Sequence, residues 1–404
     1  CKESYDVAGL PTTRGYPPYK DNIPKVDALS IKRLKEAGVV LFGKTNVPLH
    51  LSDFQSYNEI YGTTNNPWDL ERIPGGSSGG SAAALAAGLT GFETGSDIGG
   101  SIRNPAHFCG VFGHKPTWGL LPPRGHAAPG ILAQSDLTVI GPLGRSARDL
   151  EAGVNIMAGP DEIQAAGYRL ALPPCDKPTL GDFKVAVWTN DELAPVSEET
   201  QRRVEATAEI VRNAGGEVDF EARPDIDPSE AHETYSGLLS TIMSSRQPDD
   251  TFNALRERAA DLDPDDDSPD AQALRRQVAT FRDYAQGNER RTHLRWSWHE
   301  FFKQYDVMIT PMMATPAIPH DHRPMGERTI MVDNDERSYF EQVYWAGMAI
   351  CSYLPATVVP TGAIGEGLPI GIQIMGPEYS DMKTIGFAKL LEDAGLNFVP
   401  PPGY

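Results

Sequence analysis

Cysteine is scarce in this chain: four residues in 404, at Cys1, Cys109, Cys175 and Cys351, with no C-x-x-C spacing. That number and scatter exclude a disulfide framework, and the cytosol is the expected compartment. Long apolar runs are missing too. The best candidate, Ala82 to Leu89, is interrupted by Gly88 and falls far short of the roughly 18–20 residues of a membrane span. No secretory leader is visible, and Cys1 as first residue reads as the start of a chain whose upstream residues are absent. Positive charge is in deficit: 36 Lys and Arg face 55 Asp and Glu, a net −19. Such a field repels phosphate backbones and anionic lipid, so no nucleic-acid or membrane partner is expected. Heptads and internal repeats are also lacking. What is present is an ordinary globular composition, 40% hydrophobic and 23% charged, able to bury a substantial core.

Along the chain, helix and strand patterns alternate. Asp27 to Ala37 reads as a helix with Ala28, Ile31 and Leu34 on one face and Gly38 as its stop, and Val39 to Phe42 as a buried strand. Helices follow at Ser81–Leu89, Arg145–Ala158 and Glu198–Ala214, with strands at Phe183–Trp188 and Val218–Phe220. Residues 225–300 are helical and acidic. Their run Asp261 to Asp270 opens like a calcium loop but has Ser268 where glycine is needed and Leu274 where glutamate is needed, so it reads as a solvated loop. Strands return at Asp306–Thr310, Ala356–Pro360 and Ile370–Met375, the last after a glycine-rich turn, Gly362 to Gly367, and Asp381–Asp393 forms a final helix. The expected fold is α/β: a large mixed, mostly parallel sheet covered by helices on both faces.

Three glycine-rich signals carry chemistry. Gly38 to Thr45 matches a phosphate-loop pattern, but four bulky apolar residues fill the space where N–H groups would converge on an anion. Gly75-Gly76-Ser77-Ser78-Gly79 matches the nucleophile elbow of Ser-His-Asp α/β hydrolases. It follows a polar, proline-bracketed segment rather than a strand, which makes that class the runner-up enzyme. The third signal pairs this run with Gly95 to Pro105, across an alanine-rich helix. There Gly99 and Gly100 can aim backbone N–H groups beside Ser101, the makings of an oxyanion hole. His320-x-His322 lacks a third ligand, so neither a metal nor a cofactor is expected.

The stretch Gly75 to Thr117 resembles the signature region of the amidase signature family of serine hydrolases. Similarities extend through Lys2-Glu3-x-x-Asp6, Ala37 to Asn46, Gly141 to Ser146, Asp306 to Pro311 and Gly367 to Gln373. The resemblance implies one amidase-signature domain over 1–404, with a signature core about 1–160, a variable segment about 225–300 shaping the pocket, and C-terminal strands and helix at 305–404. It implies Ser101 as nucleophile, Ser77 as the cis-peptide serine that relays a proton within hydrogen-bond reach of both Ser101 and Lys2, and Lys2 as base, with Ile98, Gly99 and Gly100 supplying oxyanion amides. Gly76, Ser78, Asp97 and Arg103 support the site, and the Gly76–Ser77 bond is expected to be cis. Ser96 stands where the family usually has threonine.

Amide cleavage needs an activated nucleophile, an oxyanion site and a proton for the leaving amine. A lysine serves as base only when burial makes it neutral. The expected function is hydrolysis of amides through an acyl-enzyme on Ser101, with carbamates, urethanes and esters as further candidate substrates, by a cytoplasmic monomer or homodimer. The resemblance is drawn toward broad-specificity bacterial amidases and urethane- or nylon-oligomer-cleaving enzymes. The alternatives are a glutaminase-type subunit of a tRNA amidotransferase and a non-enzymatic binding module. Tyr235, Met243, Tyr344, Trp345 and Met348 are candidate pocket residues.

Overall fold

In the computed structural model, which describes residues 1–364 and 367–404, eight strands form one sheet. They are β1 (Phe92–Asp97), β2 (Phe112–Lys115), β3 (Val139–Gly144), β4 (Lys184–Val187), β5 (Glu217–Asp219), β6 (Val307–Pro311), β7 (Ala356–Ile364) and β8 (Leu368–Met375). Their spatial order is β1-β3-β2-β7-β8-β6-β4-β5. The sheet is mixed, as expected, but the balance differs from expectation. The β1/β3, β3/β2, β2/β7, β7/β8 and β8/β6 pairs are antiparallel, and only β6/β4 and β4/β5 are parallel. Helix–strand alternation signals parallel crossovers only where the helix joins neighbouring strands, and that holds here only around β4 and β5.

Both faces of the sheet are buried, and the strand residues show it by alternation. Val185, Val187, Val307, Ile309, Val359, Ile372 and Ile374 point into one core. It is closed by α1 (Leu29–Glu36), α4 (Ala147–Met157), α5 (Glu198–Asn213) and α11 (Asp381–Asp393). The intervening Ala186, Met308, Val358 and Met375 face the other side. That side is covered by α2 (Gly79–Ala86), α3 (Arg103–Cys109), α9 (Phe281–Phe301) and α10 (Val343–Cys351). The acidic region becomes α6 (Pro228–Ser244), α7 (Asp249–Ala260), α8 (Pro269–Gln277) and α9, with the run 261–268 as the loop between α7 and α8.

The strand expected at Val39–Phe42 does not form. Val39 and Leu41 pack on the core while Val40 and Phe42 are exposed, so the period-two pattern is real, but among the described residues the segment makes no ladder. Only Thr45 pairs, in a parallel bridge with Lys2. The turn expected at Gly362–Gly367 lies partly outside the described residues.

A buried polar knot ties the C-terminal helix to the sheet. The Asp381 carboxylate accepts the Thr117 amide and hydroxyl, each at 2.8 Å, and stands 3.1 Å from His114 Nε2 on β2. Asp381→Ala should leave these donors buried and unpaired, lowering stability by about 3 kcal/mol or more. The urea midpoint is the measurement, and Asp381→Asn should recover part of the loss.

Candidate active site

Ser101 lies in the turn that carries the chain from β1 into α3. Gly100 has φ +103°, a conformation glycine adopts without steric strain. The Asp97 carboxylate organises this turn, accepting the Gly100 amide at 2.7 Å and the Ile102 amide at 3.0 Å. It also pairs with Arg103 through contacts of 2.9 and 3.0 Å, both side chains being wholly buried. Burial alone would raise the Asp97 carboxyl, but Arg103 and the two amides hold it below its ordinary range, so it stays ionised. Arg103 Nη1 reaches on to Gln373 Oε1 on β8 at 2.5 Å and to the Ala346 carbonyl at 3.1 Å.

The second glycine run packs beneath this turn. The Gly76–Ser77 peptide bond is cis. Asn104, one residue beyond Arg103, clamps Gly76 from both sides, accepting its N–H at 2.9 Å and donating to its carbonyl at 2.5 Å. A Cβ at position 76 would lie 2.3 Å from the Asp53 carbonyl oxygen and 2.7 Å from that of Gln55, so only glycine fits. The Ser78 hydroxyl bonds the Ser96 backbone, and the Ser78 amide donates to the Ser101 carbonyl at 3.1 Å.

Lys2 enters from the N-terminal segment, held by its amide to the Thr94 carbonyl at 3.0 Å. Its Nζ donates to Ser77 Oγ at 2.6 Å and to Ser96 Oγ at 2.9 Å. The side chain is wholly buried, and burial drives its pKa well below that of a free lysine. The Asp97 charge opposes that shift, and the Arg14 charge adds to it. A neutral amine hydrogen-bonded to a serine hydroxyl can take up a proton.

Ser77, Ser96, Asp97, Ile98 and Ser101 border a single cavity of about 480 Å³. The expected contact of Ser77 with both Lys2 and Ser101 is only half present. Ser77 Oγ is bonded to Lys2, and no hydrogen bond joins it to Ser101 Oγ among the described residues. The three expected oxyanion amides also divide. Gly100 N–H is occupied by Asp97, whereas the Ile98 and Gly99 amides have no acceptor among the described residues. Of the expected pocket residues only Met243 borders this cavity. Tyr235, Tyr344 and Met348 surround a separate, smaller one, and Trp345 lies in the core.

Other candidates are spectators. Burial pushes the Cys109 thiol pKa up, and the side chain packs against Pro74. His322 stacks on Tyr57, and among the described residues no cluster of His, Cys, Asp and Glu could hold a metal. Lys44 is tied to the Pro11 carbonyl and the Thr12 hydroxyl. Sequence reasoning missed the roles of Asn104 and Ser96, although both lie inside the motif. It named Tyr235 only as a pocket residue and missed its contact with the nucleophile turn, where the hydroxyl donates to the Ile98 carbonyl at 2.8 Å.

The profile of the family described as Amidase matches residues 1–385. The chain belongs to this amidase signature family, whose chemistry is hydrolysis of amide C–N bonds. It is 32% identical to a glutamyl-tRNA(Gln) amidotransferase subunit from Roseiflexus sp. (strain RS-1), over 94% of this chain and 79% of that one. The crystal structure of the glutamyl-tRNA(Gln) amidotransferase subunit from Thermotoga maritima superposes with a TM-score of 0.78 at 26% identity, covering 99% of this chain and 84% of that one. A bacterial aryl acylamidase shares the fold, with a TM-score of 0.77 at 23% identity over 97% and 81% of the two chains. No helix among the described residues is long and apolar enough to cross a membrane.

The Lys2 ammonium should titrate well below the surface lysines. Lysine side-chain NMR across a pH series would check this, with Lys2→Met used to assign the signal. An ordinary lysine pKa would mean that the buried amine is charged at neutral pH.

Proposed function

We propose that this chain hydrolyses amides through an acyl-enzyme on Ser101. The observation that carries the reading is the buried Lys2–Ser77 contact at 2.6 Å, opening onto the cavity that Ser101 also borders. In this reading Ser101 Oγ attacks the carbonyl carbon while its proton passes to Ser77, whose own proton moves to the neutral Lys2. The tetrahedral oxyanion takes the Ile98 and Gly99 N–H groups, Gly100 being engaged by Asp97. Collapse breaks the C–N bond, and the relay returns a proton to the departing nitrogen. Water then enters by the same route and releases the acid. Esters and carbamates satisfy the same geometry.

Two forms of this chemistry fit the cavity. One is a free-standing hydrolase of linear amides or carbamates. The other is the amide-cleaving component of an amidotransferase, and the Roseiflexus and Thermotoga relatives favour it. Purification at native expression level separates them: stable partner chains support the amidotransferase component, and a monomer or homodimer active alone supports the free hydrolase. In either form we place the site in one domain spanning 1–404 and the protein in the cytoplasm, with no cofactor.

A fluorophosphonate probe should label Ser101, and Ser101→Ala should lose turnover by several orders of magnitude with the fold intact. Unlabelled folded protein would favour a binding module. Lys2→Ala should damage anilide turnover far more than that of an activated ester, whose leaving group needs no proton. Because the neutral amine is the working form, turnover should fall as pH drops through the lowered Lys2 pKa and stay level above it.

A further inference from the structure

The loop after Lys2 carries an arginine to the same cavity. Glu3 commits both carboxylate oxygens to that loop, accepting the Thr13 amide at 2.5 Å and the Arg14 amide at 2.6 Å. Arg14 itself has φ +56°, a left-handed conformation that a non-glycine residue keeps only where its surroundings impose it. The loop therefore holds the Arg14 side chain in a fixed direction, toward the cavity bordered by Ser77 and Ser101.

The Arg14 guanidinium makes no ion pair. None of its nitrogens donates a hydrogen bond or meets a carboxylate among the described residues, and Nη1 is wholly buried without a partner. A guanidinium stays charged and carries five donors, so burying one unpaired is costly unless a ligand completes it. The cavity wall supplies no free carboxylate to do so. Its one carboxylate, Asp97, is engaged by Arg103 and two backbone amides. A second arginine, Arg246, borders the same cavity and among the described residues gives only one hydrogen bond, to the Ala133 carbonyl at 3.2 Å. In a chain of net charge −19, this cavity wall carries two arginines and no available carboxylate; Glu3 and Asp6 act on Arg14 only from behind the wall.

We infer that Arg14, flanked by Arg246, forms a subsite for a carboxylate, so that the preferred substrates are amides bearing an anionic group away from the scissile bond. A planar guanidinium takes a carboxylate through two parallel hydrogen bonds, which fixes orientation as well as affinity. The inference rests on Ser101 and its cavity being the hydrolytic centre.

The 4-nitroanilide of glutaric acid and its methyl ester share the scissile bond and differ by one charge. The wild-type chain should favour the acid by about 10–100-fold in kcat/KM, mainly through KM. Arg14→Gln should bring that ratio near unity, Arg14→Lys should keep part of it, and Arg246→Gln, at an exposed position, should lose part. The Arg14 charge also acts on Lys2, but any change there affects both substrates alike, so the ratio isolates the contact. Calorimetric titration of the Ser101→Ala protein with glutarate separates this inference from the hydrolytic reading. Binding that disappears in the Ser101→Ala, Arg14→Gln protein supports the subsite even if no anilide is cleaved. Equal wild-type rates on the two anilides, a preference that survives Arg14→Gln, or glutarate binding indifferent to that change would overturn it.

Discussion

The buried ion pair between Asp97 and Arg103 is the constraint on which the site depends. Asp97 fixes the turn that holds Ser101, and Arg103 fastens α3 to β8 through Gln373 and to α10 through the Ala346 carbonyl. Asn104 then transmits this placement to Gly76, and so to Ser77. Removing one partner would strand a full charge in the interior, a loss of about 3–5 kcal/mol, while the pair itself adds little net stability. Its contribution is geometric: it fixes the tight turn on which Ser101 sits.

The same pair governs the charge state of the centre. An unpaired Asp97 would draw Lys2 toward its protonated form, and its attraction already opposes the lowered lysine pKa. Arg103 and the Gly100 and Ile102 amides hold that carboxylate, leaving burial as the dominant influence on Lys2. One amide of the expected oxyanion set, Gly100, is given up to that arrangement.

Much of this was legible in the sequence because it was local. The two glycine-serine runs lie on either side of one short helix, so their meeting required no knowledge of the remaining chain. Five of the eight sheet strands and the helices α1, α4, α5 and α11 followed from apolar periodicity, whereas β1, β2 and β3 and the helices α3 and α10 carried no such signal. Val39–Phe42 misled because alternation reports a half-buried segment, not the presence of a strand edge to pair with. The bias toward antiparallel pairing was hidden because strand direction depends on which strands become neighbours in space. The Tyr235 contact and the placement of Arg14 were missed for related reasons: one reaches the site from a distant helix, and the other acts through a loop conformation that nothing in its neighbours announces.

The order of strands has a consequence for how the chain is made. β7 and β8 sit between β2 on one side and β6 on the other, so the central hairpin is built from strands that follow all the others of the sheet in the sequence. Without residues 356–375 the strands β2 and β6 lose their native partners, and an unpaired strand edge can template pairing with another chain. A polypeptide stopped short of that hairpin would therefore be an aggregation hazard and not merely a weakened protein.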